Sequence, residues 1–111
     1  ELFSEPGQER QKLILPDQRP GLALNDGAVL IEDLAVGPRQ MEIQIWTIQP
    51  GAASEGSYSH QGEEAMYLLS GSLEVCLNEL ENYSLVPGAC LYFSSSEAHR
   101  WRNPGPEPAV V

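Results

Sequence analysis

The chain has two histidines, His60 and His99, in 111 residues. His60 is followed at i+4 by Glu64, in the run Tyr58-Ser59-His60-Gln61-Gly62-Glu63-Glu64. Side chains alternate along a strand, so Tyr58, His60, Gly62 and Glu64 share a face if the strand is regular. Gly62 bends such a strand at little steric cost and lets the imidazole and the carboxylate converge. Imidazole nitrogen with carboxylate oxygen is a ligand set for Zn, Fe, Mn, Ni or Cu. A His and a Glu on one strand are also common surface partners. His99 completes a facial set only if the fold carries its distant strand across.

The elements that must do this carrying are short and β-like. Lys12-Leu13-Ile14-Leu15 reads as an apolar strand closed by Pro16-Asp17, and Leu22 and Leu24 alternate with small residues before the turn signal Asn25-Asp26-Gly27. Ala28 to Leu34 is the next strand. In Met41 to Ile48 the alternation predicts Met41, Ile43 and Ile45 on one half-buried face. Ala65 to Leu69 and Leu73 to Leu77 are joined through Ser70-Gly71-Ser72. A polar loop over Asn78 to Asn82 precedes Tyr83-Ser84-Leu85, Ala89 to Phe93 follows Pro87-Gly88, and His99 to Arg102 and Ala109-Val110-Val111 come last. Nine Pro and ten Gly punctuate these runs, no helical period is sustained and no segment repeats. About nine or ten short strands with regular turns predict an all-β sandwich or closed barrel. Glu1 to Gln11, with Pro6-Gly7, reads as a linker or N-terminal arm, and residues 12–111 as one domain.

Sixteen acidic against six basic residues give a formal net charge of -10. A domain that grips nucleic acid by itself needs a basic stripe, so that role is excluded, and an anionic membrane surface is disfavoured for the same reason. No run approaches the ~18 apolar residues of a membrane span. Cys76 and Cys90 both fall in apolar runs, which predicts buried thiols in a reducing cytoplasm.

Two sets of spacings resemble the cupin motifs. Gly51, Tyr58-Ser59-His60, Glu64 and Gly71 match the first, and Gly88, Ser94, Ser96, His99 and Asn103 the second. Three departures stand out: Tyr58 occupies the usual first-His position, Ser94 and Ser96 replace a Pro and a Gly, and the interval from Gly51 to Tyr58 is one residue long. The resemblance covers roughly Gln40 to Val111. It implies a small cupin barrel, jelly-roll-like, in which His60, Glu64 and His99 hold a divalent metal (Zn, Fe, Mn or Ni). Tyr58 then stands beside them as a ligand or as a hydrogen-bond partner of a bound carboxylate or water.

The runs Tyr67-Leu68-Leu69-Ser70-Gly71-Ser72-Leu73-Glu74-Val75 and Leu91-Tyr92-Phe93-Ser94-Ser95 are similar to the cupin half of bacterial helix-turn-helix regulators. So is His99-Arg100-Trp101-Arg102-Asn103. That resemblance implies a cytoplasmic ligand-sensing domain. It would bind a small-molecule effector, pair as a homodimer, and reach DNA only through an N-terminal domain outside this sequence. Met66, Leu68, Leu73 and Val75 are expected as apolar wall. Trp46 and Trp101 are expected in the core or at the barrel mouth; a second reading has Trp101, of the same strand parity as His99, wall a ligand pocket. Arg100 and Arg102 alternate with it and are expected to point outward; a second reading makes Arg102 a bidentate carboxylate anchor. The competing function is a metal-dependent cupin enzyme, a dioxygenase or an isomerase, working on the same three residues.

Overall fold

The computed structural model describes residues 12–38 and 40–111. The proposed arm over residues 1–11 lies outside the described residues. Among the described residues the elements are nine β-strands and two short 3₁₀ turns, Pro16–Gln18 and Asn25–Gly27. Strands β1 (Gly21–Leu24), β2 (Val29–Asp33), β3 (Gln44–Ile48) and β9 (Ala109–Val110) form a four-stranded sheet in the order β1-β2-β3-β9. Strands β4 (Glu63–Tyr67) and β7 (Cys90–Ser94) form a two-stranded sheet. The three-stranded sheet has the order β6-β5-β8, from β5 (Leu73–Leu77), β6 (Glu81–Leu85) and β8 (His99–Arg102).

Every named strand pair is antiparallel. Isolated bridges Ala53–Arg102, Tyr58–His99 and Ser70–Val110 tie the sheets to the segments between strands. The fold is therefore the expected all-β jelly-roll, with sheets that do not close into a continuous barrel.

Alternation decides which residues enter the core. On β5, Leu73, Val75 and Leu77 point inward to meet Leu85, Phe93, Leu68, Val29, Ile48 and Ala109. These residues come from all three sheets, so the core lies between them. Full burial of a Leu, Val or Phe contributes about 1.5–3 kcal/mol each. The register Val75–Trp101 and Leu77–His99 then places Trp101 and His99 on the same inner face of β8, and sends Arg100 and Arg102 outward.

Two further motif residues act on the backbone. Asn103 is buried, and its Nδ2 donates to the carbonyls of Ile48 (2.9 Å) and Glu107 (2.8 Å), while its Oδ1 accepts from the Gly105 N–H (2.9 Å). It staples β3 to the chain entering β9. Gly71 has φ +83°, and a Cβ there would sit 2.4 Å from the Pro108 carbonyl oxygen. Both the left-handed backbone and the close approach require glycine.

Four expectations need correction. Lys12 to Leu15 is not a strand; Leu13 and Leu15 are exposed and the chain enters the 3₁₀ turn at Pro16 instead. Ile48 is the buried residue of β3 and Trp46 packs partly buried against the core, while Ile45 is half-buried as read but Met41 and Ile43 lie exposed before the strand. Polar Gln44 is tolerated beside Trp46 because its Nε2 donates to Asp33 (3.0 Å) and its Oε1 accepts from the Trp46 indole (3.0 Å). Cys90 lies exposed on the outer face of β7, while Cys76 alone is buried. The loop read over Asn78 to Asn82 is a tighter turn, because Glu81 and Asn82 already pair in β6.

Candidate metal centre

Three strands' worth of chain converge on one point. Gly62 adopts φ +111° immediately before β4 and breaks the strand there. His60 is thereby turned back over Glu64, and its backbone N–H is held by the Ser95 carbonyl (2.9 Å). Glu64 points inward from β4, opposite Phe93 in the register. His99 comes from β8, and its backbone is exchanged with that of Tyr58 in two bonds of 2.8 and 2.9 Å.

The Oε2 of Glu64 lies 2.8 Å from the His60 Nε2 and 3.1 Å from the His99 Nε2. One ligand atom from each of the three residues falls within 4.8 Å of the others. His99 is buried, Glu64 partly so, and His60 is exposed, so the group has a closed side and an open one.

Hydrogen bonds set the chemistry of the two imidazoles. A carbonyl oxygen only accepts, so the His99 Nδ1, 2.8 Å from the Glu97 carbonyl, carries the proton. The His60 Nδ1, 3.2 Å from the Gln61 carbonyl, is held in the same sense. In each neutral ring this leaves the Nε2 lone pair facing the Glu64 carboxylate. A proton on either ring satisfies one of these contacts. A divalent cation would satisfy both nitrogens and the carboxylate at once, with the Glu97 and Gln61 carbonyls in the usual role of outer partners that fix a ligand histidine. Two nitrogens and one carboxylate oxygen on one side leave the remaining coordination positions for exogenous ligands.

The open side faces a cavity. Tyr58 and Trp101 line it, along with Trp46, Met66 and Leu73. Trp46 and Trp101 meet edge to face with ring centroids 5.6 Å apart. Leu68 and Val75, expected as wall, are instead core residues. Met41 and Ile43, which miss the buried face of β3, line the cavity from the segment before it. Arg102 does not join the site: it points outward, with its Nε donating to Glu74 (2.7 Å) across the β5–β8 pair. The anchor reading of Arg102 is corrected by the strand parity that brings His99 and Trp101 inside. Gln44 reaches the cavity with its amide fixed by Asp33 and Trp46, and sequence patterning missed it because the alternation assigns Gln44 to the outer, polar face.

Comparison with known proteins agrees with this fold. The Cupin domain family model matches residues 44–111. No curated protein matches the sequence. A solved RmlC-like cupin from Shewanella frigidimarina superposes with a TM-score of 0.77 at 14% identity, covering 93% of this chain and 87% of that one. The cupin domain of an XRE family transcriptional regulator from Enterobacter cloacae gives 0.64 at 24% identity, covering 75% and 90%. Hydroxypropylphosphonic acid epoxidase from S. wedmorenis gives 0.70 at 17%, covering 95% of this chain and 61% of the enzyme. With the matched segment spanning both histidine-bearing motifs and more than half of its length, the chain belongs to the cupin family.

Proposed function

We propose that this cupin is the effector-sensing module of a bacterial transcriptional regulator, with a divalent ion on His60, Glu64 and His99 as part of its effector site. The observation that carries the reading is the convergence of two Nε2 lone pairs and a carboxylate at the floor of a cavity walled by Trp46, Met66 and Trp101. Such a site binds a small molecule by an apolar body and a metal-seeking polar end. Tyr58 offers a phenol at the rim, where it can donate to that polar end. The regulator cupin of Enterobacter cloacae, with the same fold, supports the assignment.

The net charge of -10 leaves DNA contact to a separate helix-turn-helix domain, and a homodimer in the cytoplasm would space two such domains on an operator. No helix among the described residues is long and apolar enough to cross a membrane.

Trp46 and Trp101 supply the assay. Titration of the metal-stripped protein with Zn²⁺ or Co²⁺ is expected to change their fluorescence, and His99→Ala is expected to abolish the change. A flat signal in the parent chain rules out the metal-dependent site. A second reading, a metal-dependent enzyme, is favoured by the coordination positions left open and by the likeness to the epoxidase. Turnover of any candidate substrate by this chain with added Fe²⁺, lost in His60→Ala, would replace the sensor reading with it.

A further inference from the structure

The turn between β5 and β6 contains an anomaly. Asn78 and Glu79 both have positive φ, +56° and +58°, and the Leu80 N–H closes the turn on the Leu77 carbonyl (3.1 Å). Left-handed backbone at both central positions defines a type I′ turn, for which Asn-Gly is the favoured pair. Asn suits the first position. Glu at the second carries a steric penalty that Gly would not, and the explanation lies in what its side chain grips.

One Glu79 oxygen accepts from the Ser57 hydroxyl, and the other from the Arg100 Nε (3.0 Å). Ser57 immediately precedes Tyr58, which exchanges backbone hydrogen bonds with His99, and Arg100 immediately follows His99. A single carboxylate thus ties together the two segments that carry the histidines. Asn78 holds the other flank. Its Nδ2 donates to the Glu97 carboxylate (3.1 Å), its Oδ1 accepts from the Ala98 N–H (3.2 Å), and its own N–H donates to the Ala98 carbonyl (2.6 Å). The Glu97 carbonyl is the group that fixes the His99 Nδ1 proton.

We infer that Asn78 and Glu79 are positioning residues for the His60–Glu64–His99 centre. The strained turn works as a clasp that sets the spacing of the two histidine segments and the orientation of the His99 ring. The inference rests on the metal-centre reading above, but the arrangement of His99 that it concerns exists in the metal-free protein. Each bond of the clasp is exposed and contributes little to stability alone. Its effect is geometric, and a metal site needs its ligands held to within about 0.5 Å.

Glu79→Gly tests this in the 111-residue chain, because it removes the carboxylate while giving the turn its preferred residue. The expected result is a melting temperature no lower than the parent's, together with a Co²⁺ affinity weaker by about 10-fold, the size typical of lost outer-shell partners. In the metal-free protein the ¹⁵N signals of the His99 ring should shift away from the pure Nδ1–H tautomer. Ser57→Ala, which leaves the backbone of the turn untouched, should move both readouts in the same direction by less, and Glu79→Gln should restore part of the affinity. Unchanged ¹⁵N signals in both Glu79→Gly and Ser57→Ala overturn the inference. If the parent chain takes up no Co²⁺, the metal reading fails on its own, and the ¹⁵N comparison still decides the clasp. A Glu79→Gly chain that melts lower in step with its loss of affinity would make Glu79 merely structural and would also overturn it.

Discussion

His99 and Asn103 leave the same stretch of chain at its two ends, and both are buried, 5% and 1% exposed. Their polar groups meet opposite fates. Every side-chain bond of Asn103 described above ends on backbone, which leaves it nothing to offer a ligand. His99 has one nitrogen satisfied by a backbone carbonyl, and the other aimed at a carboxylate that a second imidazole also faces. A saturated polar group in a core is a staple; an array of electron-pair donors facing one another is a site for a cation. The two motif residues are thus separable by physics, although sequence spacing presents them alike.

The comparison is broken most severely at Gly71, on the stapled end. Gly71→Ala combines a φ of +83° with a Cβ 2.4 Å from a backbone oxygen that cannot move without moving β9. The expected cost is on the order of 4 kcal/mol or more, and the melting temperature should fall by roughly 15 °C or more. Gly88 is the control: its φ is +91°, but nothing lies within 4 Å of the added Cβ. Gly88→Ala should therefore lose only the left-handed penalty of about 1–2 kcal/mol. Equal melting temperatures for the two variants would show that the close approach to Pro108 does not constrain the fold.

The next effect separates staple from site. Asn103→Ala strips hydrogen bonds from the Ile48 and Glu107 carbonyls and the Gly105 N–H, at a cost of about 2–4 kcal/mol. His99→Ala in metal-free protein loses one bond to the Glu97 carbonyl and its packing on Phe93, at 5.0 Å between centroids. About 1–2 kcal/mol is expected for it. Zinc at about a hundred times its dissociation constant should add about 2.7 kcal/mol to the parent and to Asn103→Ala, and nothing to His99→Ala. Urea midpoints with and without zinc measure both halves. If zinc stabilises His99→Ala as much as the parent, the metal centre is misplaced.

Much of this division was legible in the sequence, for reasons particular residues make plain. His60, Glu64 and His99 were readable because their spacings match paired motifs and because Gly62 marks the bend that folds one toward the other. Trp101 was readable by strand parity with His99, and that same parity argued against Arg102 as a ligand group. Met41 and Ile43 were misread because the apolar alternation begins before the strand does: β3 starts at Gln44, and within it Ile48 reaches the core with Trp46 packed against it. Gln44 joins them only because Asp33, from a neighbouring strand, accepts its amide proton, and such a pairing is invisible before the register is known. Leu13 and Leu15 misled because an apolar run is not by itself a strand: both side chains are exposed and the chain turns at Pro16. The Asn78-Glu79 turn was hidden inside a polar loop, since positive φ at a Glu has no sequence signature; only the bonds to Ser57 and Arg100 give it meaning.

The smallest expected effect belongs to that turn. The Ser57 hydroxyl above all, helped by the Arg100 guanidinium, holds the Glu79 carboxyl below its ordinary value, against the opposing effect of desolvation. The groups facing it are Ser57 and Arg100, with Asn78 carrying the contact onward to Glu97. A carboxyl whose folded pKa is depressed binds its proton more readily in the unfolded chain, so the stability it contributes is present above the unfolded value of 4.5 and is lost as pH falls through the lower folded one. Glu79→Gln has no such proton to take up. At neutral pH it should melt slightly below the parent, and as the pH drops below 4.5 the two melting curves should converge. Because the carboxyl is exposed, salt should shrink the neutral-pH difference further. Melting temperatures that stay parallel from neutral to acid pH would mean that the clasp holds without the charge, leaving the Ser57 hydrogen bond as its only working contact.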